Sequence, residues 1–401
     1  MTGPTALLPE GFRDRLPPEA EAAATLMRGL LDHFGSHGYD RVQPPLVEYE
    51  AGLIGRLGVT TRQELLRFID PVSRHTLALR PDMTGQAGRI AATRLAHVPR
   101  PLRLAYGGPV LRVKGTQLDP ERERLQVGAE LIGRDSVAAV VEVLTLAIAA
   151  LTRAGVAGLT IDLTLPSFVA DLFAGPWPLA AVTLADLEAL LDGKDVAGLR
   201  AAGAARYEPL IAAAGPAVPA LAALNALDIG PALAVRLADT AAVVAALEAI
   251  GTRGDGVAVA VTLDPTERHG FDYQRWIGFT VFAGGVPGEI GRGGAYTIVH
   301  GDHGEPAVGF SLYLDGLVDA GLGVTTRRRI ALPLGTSPGI GETLRADGWT
   351  TIAVLDGNVV AGCTHVWNGV EATVLPSPSG EGPGVGKSPP PQLLPHPQPL
   401  P

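Results

Sequence analysis

The stretches Leu79-Arg-Pro-Asp-Met-Thr84 and Gln126-Val-Gly-Ala-Glu130, with Arg112 between them, carry most of the information about the fold. They contain two carboxylates, a hydroxyl and an amide, all of which can accept hydrogen bonds from an ammonium group. Arg112 adds a planar guanidinium, whose geometry matches a carboxylate. Because a free α-amino acid presents an ammonium beside a carboxylate, these residue types predict an amino-acid pocket. The residues expected around the ammonium are Asp82, Thr84, Gln126 and Glu130.

Other segments accompany these stretches in a specific order along the chain. They are Gly38–Glu48, Pro109–Gly133, Arg268–Tyr273, Gly293–Tyr296 and Ala307–Leu317. They resemble, in turn, motif 1, motif 2, the histidine-specific segment, a glycine turn and motif 3 of class II histidyl-tRNA synthetases. Leu79–Thr84 resembles the Leu-Arg-Pro-Glu-x-Thr segment of the same enzymes. Taken alone, Asp82 and Glu130 also fit ordinary carboxylates paired with arginine. The ordered set, over roughly residues 7–320, favours the pocket.

Three positions depart from the synthetase pattern. Gly316 stands where motif 3 has its arginine, Tyr313 where it has a glycine, and His269 where the histidine-specific segment has an arginine. Adenylate formation places negative charge on phosphorus, and losing one fixed cation there costs about 10²–10³ in rate. The departures therefore predict loss of ATP activation. His269 either contacts a ligand carboxylate or fills the space of the missing arginine, and the sequence leaves both readings open.

A pocket that keeps its amino-acid side and loses its nucleotide side resembles the regulatory subunits of short-form ATP phosphoribosyltransferases, which are catalytically silent synthetase paralogues. The resemblance implies free L-histidine as ligand, a homodimer, and the catalytic subunit of ATP phosphoribosyltransferase as partner. It implies no catalytic residue, no cofactor and no tRNA. The implied histidine-binding residues are Asp82, Thr84, Arg112, Gln126, Glu130, Tyr273 and Tyr296.

Two other functions compete with this interpretation. A working histidyl-tRNA synthetase would need the motif 3 arginine, a free nucleotide pocket and an anticodon domain. A synthetase-like module with some other partner would need no histidine-biosynthesis enzyme beside it. Co-purification with the catalytic subunit, with and without histidine, separates these possibilities.

The composition narrows the class of protein. Hydrophobic residues make up 46% and charged residues 18%, which is typical of a globular chain. The net charge of −9 gives no electrostatic footprint for a polyanion. The single cysteine, Cys363, excludes a disulfide framework, and the nine histidines show no zinc-ligand spacing. Neither a signal peptide nor a membrane-spanning stretch is recognisable, so we expect a cytoplasmic protein.

The pattern along the chain predicts an α+β fold, in which an antiparallel class II synthetase-like sheet is flanked by helices. We expect residues 1–165 and 251–327 to form the histidine-binding core, interrupted by a helical insertion at 166–250. Residues 328–375 predict a small α/β remnant, too short for a competent anticodon domain. The Pro- and Gly-rich tail, 376–401, predicts disorder.

Local patterns place individual elements. Thr84–Leu95 predicts a helix capped by Thr84, and Ser136–Ala154 a strongly apolar helix. Leu102–Val113 and Leu125–Ile132 predict the two long motif 2 strands. The glycine-rich run from Gly288 to Gly294 predicts a hairpin rather than a dinucleotide site, because a strand and not a helix follows it. In the tail, Gly380–Ser388 lacks the spacing of a phosphate-binding loop, and three prolines follow it.

Overall fold

The computed structural model describes residues 7–54, 63, 65–115, 120–251, 259–267, 274–300, 303–355 and 362–375. Two compact units divide the chain, Met1–Val324 and Thr325–Pro401. The Pro- and Gly-rich tail and Gly380–Ser388 lie outside the described residues.

The first unit contains both helices and strands. Its helices are α1 Glu19–Ser36, α2 Glu50–Leu53, α3 Thr84–Thr93, α4 Val137–Arg153, α5 Phe168–Ala174, α6 Leu184–Asp192, α7 Val196–Ala201, α8 Glu208–Ala212, α9 Ala217–Asn225, α10 Pro231–Gly251 and α11 Asp315–Asp319. Its strands are β1 Asp40–Arg41, β2 Val47–Tyr49, β3 Arg67–Ile69, β4 Thr76–Leu79, β5 Leu102–Leu111, β6 Glu123–Ile132, β7 Leu159–Thr164, β8 Gly215–Pro216, β9 Val259–Asp264, β10 Gln274–Phe282, β11 Glu289–His300 and β12 His303–Tyr313.

Within the described residues, nine strands form the main sheet in the order β1-β5-β6-β12-β11-β10-β7-β9-β8. From β5 to β7 in this order, each strand is antiparallel to the next one. Near the edges, β1 pairs with β5 and β7 pairs with β9 in parallel. The sheet is therefore mixed, where the sequence predicted an antiparallel one. Parallel neighbours need a long crossover connection, and the helices between β7 and β9 provide it.

Helices α1 and α4 pack on one face of the sheet. Phe34 of α1 meets Phe310 of β12 edge to face, with ring centroids 5.5 Å apart, and both rings are buried. Successive strand residues point to opposite faces, so the residues adjacent to Phe310 point away from this core. Helix α3 contacts β5, β6 and β11 and covers the other face.

The chain between β7 and β9 is largely helical, and α9 and α10 pack against β9. Residues of these helices join those of α1, α4 and the sheet in one hydrophobic cluster. Trp177 and Tyr207 pack edge to face at 5.3 Å, and the Tyr207 hydroxyl donates to the Trp177 carbonyl at 2.6 Å. Treating residues 166–250 as an insertion with its own boundaries stays a prediction.

The second unit holds a smaller sheet. Its elements are β13 Arg329–Leu332, α12 Pro338–Ala346, β14 Thr350–Ala353, β15 His365–Trp367 and β16 Ala372–Val374. The strand order is β14-β13-β15-β16, and β13 pairs in parallel with both β14 and β15. Strand, helix and parallel strand follow one another as the sequence predicted for 330–355.

No helix in the described part of the chain is long and apolar enough to cross a bilayer.

Candidate functional site

Four adjacent strands place polar residues on one face of the main sheet. In the register of β6 and β12, Gln126 lies opposite Tyr313, Gly128 opposite Ser311 and Glu130 opposite Gly309. Paired residues share a face and alternate residues repeat it. The residues on this face are Tyr106 of β5, Gln126, Gly128 and Glu130 of β6, Gly309, Ser311 and Tyr313 of β12, and Arg292, Gly294 and Tyr296 of β11.

Glu130 lies at the centre of this face and is fully buried. Its Oε1 accepts a hydrogen bond from the Tyr106 hydroxyl at 2.7 Å, and its Oε2 accepts one from Tyr296 at 2.6 Å. Burial raises the pKa of Glu130 to about 7, although the bonds from both phenols act to lower it. Gly309 makes room for the carboxylate, because a Cβ at that position would overlap Glu130 Oε2.

Asp82 and Thr84 enter from the start of α3. Asp82 Oδ1 accepts the Thr84 backbone N–H at 2.6 Å, and Asp82 Oδ2 accepts from the Gln126 side chain. The Thr84 hydroxyl lies 2.9 Å from the Tyr106 hydroxyl. The prediction of Thr84 as the helix cap is wrong: the helix begins at Thr84 after Met83, and the Thr84 side chain faces the sheet instead.

The amide of Gln126 is held by three groups of the protein. Its Nε2 donates to Asp82 Oδ2 and to Ser311 Oγ, the latter at 2.6 Å, and its Oε1 accepts the Met83 N–H at 3.0 Å. Both amide protons are therefore used within the protein. Gln126 is fully buried, so its orientation is set by these partners.

A cavity of about 20 Å³ lies among these side chains. Its lining includes Asp82, Thr84, Glu130, Tyr296 and Ser311. Such a volume has room for about one water molecule, which is less than an amino acid needs. An amino acid can enter only if side chains move, and the Gln126–Asp82 hydrogen bond is one that an incoming ammonium can replace.

Arg112 lies apart from this cavity. It lines a larger neighbouring pocket of about 680 Å³, together with Arg124, Arg292 and Tyr313. Arg292 lines both spaces. The structure thus brings five of the predicted residues together: Asp82, Thr84, Gln126, Glu130 and Tyr296. Arg112 lines the neighbouring, larger pocket instead. Tyr273 and His269 lie outside the described residues.

Three residues of the site were missed from the sequence, namely Tyr106, Ser311 and Arg292. Tyr106 and Ser311 are polar groups within otherwise apolar buried strands, which is the same signal that identified Gln126. Arg292 stands among the glycines of the β10–β11 hairpin, whose strands pair as predicted. The residues next to Arg292 in the sequence do not indicate that its side chain lines both cavities.

The motif 3 positions lie at the wall of the larger pocket. Gly316 is in α11, where a Cβ would come within 3.1 Å of Val286. Asp315 is buried and accepts the Leu125 N–H at 3.0 Å and the Arg15 guanidinium at 2.6 Å. Among the residues that the structure describes, no group of three His, Cys, Asp or Glu side chains could hold a metal ion.

Comparison with known proteins agrees with this geometry. The family model described as histidyl-tRNA synthetase matches residues 11–317. A solved structure from Bacillus halodurans, described as an ATP phosphoribosyltransferase regulatory subunit/histidyl-tRNA synthetase, superposes with a TM-score of 0.75 at 25% identity. The superposition covers 90% of this chain and 96% of that one. Fold and polar face together define a histidyl-tRNA synthetase-like protein of class II, as the motifs predicted.

Two sequence relatives narrow the class further. The ATP phosphoribosyltransferase regulatory subunit of Paramagnetospirillum magneticum is 46% identical over 354 residues, covering 88% of this chain and 91% of the relative. That of Rhodospirillum centenum is 45% identical over 383 residues, covering 91% and 95%. The chain therefore belongs to the ATP phosphoribosyltransferase regulatory subunits. This confirms the family predicted from the departures at motif 3.

Proposed function

We propose that this regulatory subunit binds free L-histidine on the polar face around Glu130 and so regulates the catalytic subunit of ATP phosphoribosyltransferase. The observation that carries the proposal is the convergence of two carboxylates, Asp82 and Glu130, with the hydroxyls of Tyr106, Tyr296 and Ser311. Such a set of acceptors complements an ammonium group. A buried carboxylate in particular gains from a cation that neutralises it.

The pose follows from the positions of the charges. The ammonium lies between Asp82 and Glu130. There it donates to Asp82 Oδ2 in place of the Gln126 amide. The ligand carboxylate faces the arginines: Arg292 lines both spaces, and Arg112 lines the larger one. Tyr273, outside the described residues, completes the proposed set from the histidine-specific segment.

The energetic demand is modest. Two or three charge-assisted hydrogen bonds contribute about 1.5–3 kcal/mol each. With burial of the imidazole, they reach the roughly 8 kcal/mol of a micromolar complex. Feedback then requires a coupling of only about 1–3 kcal/mol between this site and the catalytic subunit.

The regulatory role also fits the motif 3 wall. Gly316 supplies no cation to a phosphate, and Tyr313 occupies the pocket side of β12. We therefore propose that the chain lacks aminoacylation activity, binds no tRNA and needs no cofactor. The partner catalyses the first step of histidine synthesis, and a cytoplasmic location goes with that role.

The test uses the complex of this chain with its catalytic subunit. Gln126→Ala should weaken histidine binding, because the Gln126 amide holds Met83 and Ser311 in place beside the site. It should not prevent assembly, because Gln126 is fully buried and presents no surface to a partner. The complex should stay active and lose its inhibition by histidine, as linkage requires. Glu248→Gln, at an exposed position on α10, is the matched control and should keep full inhibition.

One outcome would place the feedback site elsewhere. It is a Gln126→Ala complex that no longer binds histidine in this subunit, measured by calorimetry, yet is inhibited as strongly as the unaltered complex. The pocket would then be a relic, and this chain would contribute activation alone.

A homodimer belongs to the same proposal. The small sheet β2-β4-β3 exposes Tyr49 and Phe68 on one face and Ile69 on the other, at 56%, 43% and 71% of their surface, and Val72 in the turn after β3 is 89% exposed. Exposed apolar side chains that lie close together are typical of protein interfaces. We assign this small sheet and its turn to the contact with a second copy of the chain. Light scattering should give twice the chain mass, and Ile69→Asp should shift the protein towards the monomer, whereas a monomeric unaltered chain would refute the assignment.

A further inference from the structure

The two cavities share Arg292 as a lining residue, and Tyr313 lies on the same face of the sheet as Arg292. Along one face of β12, Gly309 and Ser311 line the small cavity, and Tyr313, the next residue on that face, lines the large pocket. Tyr313 is only 5% exposed. Its side chain clusters with Met83 and Tyr106, which adjoin the small cavity. The phenol ring therefore lines the pocket of about 680 Å³ and also packs against residues that adjoin the water-sized cavity.

The ring is held by a cation and by apolar side chains. The Arg124 guanidinium lies 3.9 Å from the ring centroid, within the range of a cation–π contact. Arg124 is itself buried, and its Nε lies 4.0 Å from the Asp315 carboxylate, which is anchored by the Leu125 N–H. Tyr313 also packs in a cluster with Met83, Tyr106 and Val110. A ring fixed in this way acts as a wall rather than a mobile side chain.

We propose that Tyr313 determines ligand specificity by separating the amino-acid cavity from the large pocket, so that only amino acids with a free, unextended carboxylate bind. The inference rests on the proposed histidine site. In that pose the ammonium end lies at Glu130 and the carboxylate end points towards the arginines beyond the ring. A group attached to the carboxylate would have to pass through the position of Tyr313.

The experiment compares L-histidine with L-histidine β-naphthylamide, whose bicyclic group extends from the carboxyl carbon. Binding to the full-length chain is measured by calorimetry and by the shift in melting temperature of each variant from its own ligand-free value. Tyr313→Phe keeps the ring and serves as the control. Tyr313→Ala removes the ring, and Tyr313→Leu keeps an apolar group against Met83 if the alanine variant fails to fold.

The unaltered chain and Tyr313→Phe should bind histidine and bind the naphthylamide at least tenfold more weakly. Tyr313→Ala or Tyr313→Leu should bind the naphthylamide at least tenfold more tightly than the unaltered chain does. Histidine affinity should change less than about threefold.

Two results would refute the proposed role of Tyr313 and leave the proposed function intact. One is an unaltered chain that binds both ligands equally, and the other is an alanine or leucine variant that binds histidine yet still excludes the naphthylamide. If the unaltered chain did not bind histidine, the proposed function would be refuted, and the proposed role of Tyr313 would be refuted with it.

Discussion

Replacing Glu130 by glutamine should change how the stability of the protein depends on pH. Glu130 is fully buried and its pKa lies at about 7, against 4.5 for an ordinary glutamate. Its folded-state pKa is raised, so the native state holds a proton that the unfolded state releases first. The stabilisation is therefore complete below pH 4.5 and is lost as the pH rises through 7. Glutamine keeps the shape of the acid and does not titrate.

The magnitude follows from the two pKa values. At 1.36 kcal/mol for each pH unit, the displacement from 4.5 to about 7 corresponds to about 3 kcal/mol in the free energy of unfolding. Most of this change, roughly 2–3 kcal/mol, falls between pH 5 and pH 8. The free energy of unfolding of Glu130→Gln minus that of the unaltered chain should rise by this amount over the same interval.

Urea denaturation at pH 5, 6, 7 and 8, followed by circular dichroism, measures this difference. Glu248→Gln removes an exposed carboxylate on α10 and should give a difference that is flat with pH. Saturating histidine should reduce the pH dependence of the unaltered chain, because a bound ammonium favours the ionised form of Glu130. A change below about 0.5 kcal/mol between pH 5 and pH 8 would show that Glu130 does not titrate there, contrary to the reasoning from its burial.

Two further predictions test the walls of the site. Gly309→Ala should lower the free energy of unfolding by about 1–3 kcal/mol, because its Cβ would overlap the Glu130 carboxylate. Gly29→Ala, in α1, is the control, because a Cβ there meets open space. Equal stability of the two variants would contradict the close packing of Gly309 against Glu130. The purified chain should catalyse no histidine-dependent ATP–pyrophosphate exchange, because Gly316 supplies no cation to the phosphate, and exchange at the rate of a working synthetase would refute that interpretation.

Much of the architecture was predictable from sequence because it depends on local patterns. The apolar period of α4, the glycines of the β10–β11 hairpin and the strand–helix–strand pattern of the second unit are each contained in a short segment. The sequence also predicted the functional groups of the site, which are carboxylates, an amide and a hydroxyl. It predicted the family as well, because the order of the motifs and their departures from the synthetase pattern are properties of the sequence alone.

The tertiary structure decided which of these groups meet. Strand register placed Ser311 and Tyr106 on the face of Glu130, although 181 and 24 residues separate them from it along the chain. The same register put Tyr313 at the wall of the large pocket, which Arg112 also lines. Pairing between distant strands decides such contacts. The alternation of side chains along one strand shows only which residues share a face, and the register with the neighbouring strands determines which residues lie beside them.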